Sequence, residues 1–310
     1  MTTLQIIIHC LPREIDALER VLDDLKKSSY FLNKEDNVIL DISLNVSPLF
    51  TNWDKSILDK DFFIRKFSLL ERKSNWTLRN YFLVEDNDKC LGINDKRRNS
   101  IRNSGDDVTH FMYLDLDVFF SFLNLKYLFE GIKNIQNEYQ ILSSQLVKLW
   151  DSSWDILTNK NYLNLDSDFH KNIDPYSIES ININNLLQNN VNIQKLPTIK
   201  FGGGWFNTFS SNLLKLIDIP DSLGSYGLDD TFIMEGAKLM QAKGYDISQY
   251  IIEGIIVCEN IKYSIYDFNP YEKYISDNSF HNKGRDFKQK YRENSSKNFT
   301  LELNKLNNRI

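Results

Sequence analysis

Three cysteines in 310 residues, Cys10, Cys90 and Cys258, are too few and too widely spaced for a disulfide framework or a zinc site, and they read as reduced structural thiols. No Pro-rich or Gly/Ser-rich stretch divides the chain, which carries only six prolines, and no internal repeat is present, so neither a linker-jointed array nor a solenoid is expected. Long apolar runs are missing as well. The opening "MTTLQIIIHC" has no basic segment ahead of a stretch of only a few apolar residues, so a signal peptide and a membrane span are both unexpected. With the reduced thiols, this gives a cytoplasmic expectation. Nor is there an excess of positive charge. Lys and Arg number 37 against 42 Asp and Glu, a net charge of -5, so no electrostatic grip on nucleic acid or anionic lipid is expected.

What is present describes a globular chain with a full core: 42% hydrophobic and 25% charged residues. "LQIIIHC" is a β-branched run typical of a buried strand, and Pro12 then opens a helix with Ile15, Leu18, Leu22 and Leu25 at helical spacing. "NVILDISLNV" (37–46) makes a second strand, completing a βαβ unit and hence a parallel sheet covered by helices. The pattern then predicts an amphipathic helix within 51–80, a strand over 80–88, a polar helix over 92–105 and a strand containing "FMYLDLDVFF" (111–120). A helix over 211–217, a strong helix ending at Gly244, a late strand or two and a helical tail from Asp286 follow. The expected fold is α/β, a mixed, mostly parallel central sheet flanked by helices, with a C-terminal helical extension.

Within 111–120, eight of ten residues are apolar, yet Asp115 and Asp117 sit among them. An unpartnered buried carboxylate costs several kcal/mol, on the order of the penalty for any buried ion. Either something positive meets the pair, or the strand ends there and they emerge into a cleft. Open α/β sheets bind ligands at the carboxyl ends of their strands, and two carboxylates there form a hard oxygen site suited to Mg²⁺ or Mn²⁺. A hairpin with both acids in water is the plainer alternative. "FGGGWFNTFS" (201–210) strips side chains at Gly202, Gly203 and Gly204, where backbone must turn or approach a ligand. Trp205 and Phe206 then offer aromatic faces to a sugar ring or, more plainly, to the core. "GSYGLDDTF" (224–232) places Asp229 and Asp230 where a helix begins, as caps or as a general base. His281, in "SFHNKGRD", is the one histidine of four with polar neighbours, Gly284 and Arg285 close by. His9 and His110 read as structural, and His170 sits in a polar loop.

In this order the pieces resemble a nucleotide-sugar-dependent glycosyltransferase of the GT-A fold, similar to inverting family 2 enzymes and the β-1,4-galactosyltransferases. The segments "IIIHCLPREIDALERVL", "NDKRRNSIRNSGDDVTHFMYLDLDVFF", "FGGGWFNTFS…YGLDDTF" and "HNKGRD" carry the likeness, which spans roughly the first 285 residues. It implies a catalytic domain over 1–265, with a nucleotide-sugar-binding half (1–130) and an acceptor-binding half (131–265), and an extension over 266–310. It implies that Asp117 ligates Mn²⁺ or Mg²⁺ directly, that Asp115 reaches the ribose or a metal-bound water, and that His281 is a second metal ligand. Arg13 and one of Arg97 and Arg98 would contact the nucleotide or its diphosphate, with Gly203, Gly204 and Trp205 lining the donor site. Asp230 would be the general base and Asp229 would bind an acceptor hydroxyl, though Leu-Asp-Asp stands where many relatives have Glu-Asp, leaving the base assignable to either. The implied partners are a nucleoside-diphosphate sugar, a UDP-sugar first, and an unspecified acceptor, with the reaction a hexosyl transfer. Two other classes fit part of the pattern. A haloacid-dehalogenase-type phosphatase also ends a strand in Asp-x-Asp, but normally on its first strand and with a Ser/Thr and a Lys not evident here. A non-catalytic sugar-binding module would keep the fold without turnover.

Overall fold

The structure is a computed structural model, and it describes residues 1–46, 60–74, 76, 79–85, 92–147, 192–200, 203–259 and 279–309. The expectations for Cys90 and His170, the helical reading of 51–59 and everything over 148–191 lie outside the described residues.

β1 (Thr2–Cys10) passes through a 3-10 turn at Pro12–Glu14 into α1 (Ile15–Ser29), and β2 (Asp36–Asn45) returns beside β1 in parallel, Ile6 opposite Leu40. Proline at the first position of that turn fits because its missing N–H would have no partner there. α2 (Lys60–Lys73) leads to β3 (Arg79–Glu85) at the sheet edge, and α3 (Ile93–Arg102) leads to β4 (His110–Leu114), which pairs with the other side of β1. β5 (Val118–Phe120), α4 (Asn124–Asn134), β6 (Tyr139–Val147), β7 (Asn192–Lys195), β8 (Trp205–Ser210), α5 (Ser211–Ile217), α6 (Asp229–Ala242), β9 (Ile247–Glu259) and α7 (Ser279–Asn308) complete the chain. The sheet order is β3-β2-β1-β4-β8-β6-β9-β5, with β7 also paired to β9. Through the pairings, β1, β2, β3, β4, β6 and β9 run one way and β5, β7 and β8 the other. The sheet is thus mixed and mostly parallel, as the sequence leads one to expect.

Alternation along the strands divides the core between two faces. Leu4, Ile6 and Ile8 of β1 pack with α1, α2 and α4 on one face, whereas Ile7, Phe111, Tyr113 and Phe209 pack with α3, α5 and α6 on the other. α7 adds Leu306 to that second face. One sheet therefore runs continuously across residue 130, and the strands of both proposed halves share its hydrogen-bond ladder. The late helix starts earlier than the sequence indicates, at Ser279 instead of Asp286.

Candidate active site

β4 stops at Leu114, so Asp115 and Asp117 lie in the turn joining β4 to β5, at the carboxyl end of the parallel strands. They emerge from the apolar run, as the second of the two readings required. Two contacts fix the turn. The Asp115 N–H donates to the Gly204 carbonyl at 2.8 Å, and Arg20, reaching over from α1, donates from Nη2 to the Leu116 carbonyl at 2.8 Å. The Arg20 guanidinium also lies 4.1 Å from the centroid of the Phe119 ring, which orients it.

The positive group that meets Asp115 is Arg97. Its Nη2 donates to Asp115 Oδ1 at 3.0 Å and its Nη1 to Asp229 Oδ2 at 2.9 Å. Beneath it the Tyr113 ring lies 4.2 Å from the guanidinium carbon. Only 4% of the Arg97 side chain and 3% of the Asp229 side chain are exposed, against 36% for Asp115. Burial works against the charge on Arg97, but Asp229 and then Asp115 outweigh it, and the guanidinium pKa is raised. Acidic motifs more than a hundred residues apart in sequence are thereby joined through one buried cation.

The neighbouring arginine does something else. Arg98 donates to the carbonyls of Ile219, Pro220 and Gly224 at 3.0, 2.9 and 3.1 Å and pairs with Asp95 at 2.8 Å. Its guanidinium is spent on holding the loop before α6, so of the two arginines offered by the sequence only Arg97 faces the carboxylates. Asn94 pins the same loop, exchanging two 3.0 Å hydrogen bonds with the Gly227 backbone. The Asn94 N–H also donates to the Ser225 carbonyl at 3.1 Å. Gly92, just ahead of it, packs so closely on Ser225 that a Cβ there would overlap that carbonyl.

The loop delivers the acidic pair through two left-handed residues, Gly227 (φ 84°) and Leu228 (φ 63°), and Leu228 is the N-cap of α6. Neither aspartate caps the helix. Both stand in its first turn, where the macrodipole favours negative charge. Asp229 is 2% exposed and ion-paired, while Asp230 is half-buried and accepts from the Thr231 N–H at 2.6 Å. Burial and the adjacent Asp229 push the Asp230 carboxyl up to about 7, with Arg97 opposing. Among the described residues, neither the Tyr113 hydroxyl, buried beside them, nor Asn207 Nδ2 on the paired strand finds a hydrogen-bond partner.

The glycine segment supports this arrangement at close range. A Cβ on Gly204 would overlap the Asp115 carboxylate and the Arg97 guanidinium, so the close approach read from the sequence is to the protein's own charged groups. Between Tyr113 and Leu114 the β4–β8 register shifts, and Phe206 is the extra residue, at φ 57°. That bulge sends Phe206 into the core, 1% exposed and 5.1 Å ring to ring from Phe120. Of the two readings of Phe206, the plainer one as core holds. Gly203 is buried beside Gly204. The side chains of Arg13, Trp205 and His281 lie outside the described part of the structure, although Arg13 is placed in the turn after β1 and His281 in α7. His9 contacts Ser43 Oγ at 3.2 Å. His110 is buried against Gln140, and burial lowers its pKa to about 4, as suits a structural histidine.

Among the described residues no group of three or more His, Cys, Asp or Glu is arranged to hold a metal. Asp115 and Asp117 nevertheless suit Mg²⁺ or Mn²⁺, which take one or two carboxylates and fill remaining positions with water and phosphate oxygens. One Asp115 oxygen is engaged by Arg97.

Comparisons with protein-family models and with curated protein sequences find no match. Solved structures do match. S. aureus TarS residues 1–349 superposes with a TM-score of 0.47 at 12% identity, over 86% of this chain and 63% of that one. S. aureus TarS gives 0.45 at 14% identity over 84% and 37%, and TarS 1–349 in complex with UDP-GlcNAc gives 0.44 at 11% over 84% and 59%. The chain thus spans less than two thirds of the structures it resembles.

Proposed function

We propose that the chain is a nucleotide-sugar glycosyltransferase of the GT-A kind, a hexosyltransferase moving a sugar from a UDP-sugar to an acceptor hydroxyl with inversion. The observation that carries this reading is the convergence, through Arg97, of the Asp115–Asp117 turn and the Asp229–Asp230 helix start. Sugar transfer from a nucleotide needs two things on opposite sides of the anomeric carbon: positive charge at the departing diphosphate and a base at the incoming hydroxyl. The β4–β5 turn offers the first through carboxylates fit for a divalent cation, and the start of α6 offers the second.

Asp117 would hold the cation directly, His281 would be its second protein ligand, and Asp115 would reach the ribose or a water on the metal. When bound, the Mn²⁺ or Mg²⁺ supplies electrostatic stabilisation of the diphosphate leaving group. Arg13 and Trp205 complete the donor side. Arg97 holds Asp115 and Asp229 in place. Asp230 accepts the acceptor hydroxyl's proton. It is the better base of the two because Asp229 is buried and its Oδ2 is committed to Arg97, while Asp230 keeps solvent contact and a pKa near the working range, about 7. Asp229 serves by fixing Arg97 instead of meeting the acceptor.

Release of UDP from UDP-glucose, UDP-galactose and UDP-GlcNAc, measured with Mn²⁺, Mg²⁺ or EDTA, tests the reading. Metal-dependent release from at least one donor is expected, falling by about 100-fold or more in Asp230→Asn, the range a general base contributes. Absence of release from every donor, or release indifferent to EDTA, contradicts it. Hydrolysis of phosphate monoesters in its place would turn attention to the phosphatase reading.

A further inference from the structure

We infer that the C-terminal helix α7 is a brace for the loop carrying the acidic pair, and that Ser295 is its positioning residue. This rests on the transferase reading of Asp230. Ser295 is fully buried, and its hydroxyl lies between two carbonyls of that loop, Leu223 and Tyr226, the latter at 2.8 Å. Asn298, one turn on, donates to the Ser222 carbonyl at 2.7 Å, and the Glu302 and Ser222 side chains hydrogen-bond. Three successive turns of α7 therefore grip residues 222–226 by their backbone or side chains.

The loop needs such an anchor. It turns through left-handed residues at Gly224, Gly227 and Leu228, a costly path for Leu228, and offers little apolar surface of its own between Leu223 and Phe232. On its other side it hangs from Asn94 and Arg98 of α3. α7 and α3 thus hold one loop from two directions, and the residue that leaves this clamp is Leu228, followed at once by Asp229 and Asp230. The same helix rests on α6 itself, with Phe299 edge-on to Phe232 at 5.9 Å and Leu306 over Gly236, where an added Cβ would lie 3.1 Å from the Leu306 side chain. A shift of α7 would move the start of α6, and with it the distance from Asp230 to the donor side. Ser295 acts through the loop, by way of its bonds to the Leu223 and Tyr226 carbonyls.

The test compares Ser295→Ala with Leu306→Ala, which loosens the same helix where it packs midway along α6, at Gly236, away from the loop. Each is followed by melting temperature, UDP affinity, kcat for UDP-sugar turnover and hydrogen exchange over 224–230. Ser295→Ala is expected to lower kcat about tenfold or more while UDP affinity stays within about twofold, as a small displacement of a catalytic group does. It is expected to speed exchange over 224–230, and Ser295→Cys, with a sulfhydryl in the same place, to recover part of both. Leu306→Ala is expected to lower the melting temperature and leave kcat and exchange over 224–230 close to wild type. Unchanged exchange and kcat in Ser295→Ala, or losses in both variants that simply follow melting temperature, overturn the inference. If the wild type turns over no nucleotide sugar, the transferase reading falls, and exchange over 224–230 alone still decides whether α7 braces the loop.

Discussion

Replacing Arg97 by Met keeps an unbranched stem as far as the position of Nε and removes the guanidinium and its charge, leaving Asp229 buried with its cation gone. The side chains of this pair are 4% and 3% exposed, so little water is at hand to replace the lost partner. Deleting one member of a buried ion pair costs about 3–5 kcal/mol. The Asp115 pair adds less, about 1 kcal/mol at most, because that carboxylate is 36% exposed and can turn to solvent. Loss of the stack on Tyr113 adds about 0.5–1 kcal/mol. The sum, about 4–7 kcal/mol, rivals the whole stability of an ordinary domain. Urea unfolding of wild type, Arg97→Met, Asp229→Asn and the double variant measures it. The double variant, which removes both buried charges, is expected to be more stable than Arg97→Met alone, a coupling that independent sites would not show. An Arg97→Met cost below about 1 kcal/mol, or strict additivity in the cycle, would refute the account of Arg97 as the buried link between the two motifs.

Gly204→Ala should weaken metal-dependent UDP binding about tenfold or more, since the new methyl must displace a paired carboxylate or guanidinium; calorimetry reads the loss. Because the Asp230 carboxyl is pushed up to about 7 from its ordinary 3.8, the folded protein holds a proton there between about pH 4 and 7 that the unfolded chain has lost. This group's contribution to stability therefore declines as pH rises through that window, and Asp230→Asn should flatten that part of the stability profile. Turnover should run the other way, kcat/KM rising toward a plateau above about pH 7 as Asp230 ionises. A flat profile from pH 5 to 8 would remove Asp230 as the base. Arg20→Met should weaken metal-dependent UDP binding by freeing the Leu116 carbonyl, a loss read by calorimetry with Mn²⁺.

The element order up to β4 was legible in the sequence because each signal was local, whereas α4, β7 and β8 went unread. The β-branched run of β1, Pro12, Gly92 ahead of α3, the 211–217 helix and Gly244 (φ 95°) beyond α6 all behave as their residue types lead one to expect. The D-x-D motif was placed at a strand end for the same reason. The partner of those carboxylates was not legible, since Arg97 and Arg98 are adjacent, chemically identical and separated only by which face of α3 they occupy once it packs. Nor did the sequence disclose how Phe206 reaches the core. That follows from a bulge created by pairing β8 with β4, two segments about ninety residues apart. The role of Arg20 was hidden likewise, because its target is a backbone carbonyl, which leaves no mark on residue type.

The central claim is a nucleotide-diphosphate site at the β4–β5 turn. Calorimetric titration of UDP into the wild type and Asp117→Ala, with Mn²⁺ or with EDTA, tests it most directly. The account predicts binding that requires the metal and disappears in Asp117→Ala while the variant stays folded. Binding that ignores both the metal and the substitution, or no binding at all, would contradict it.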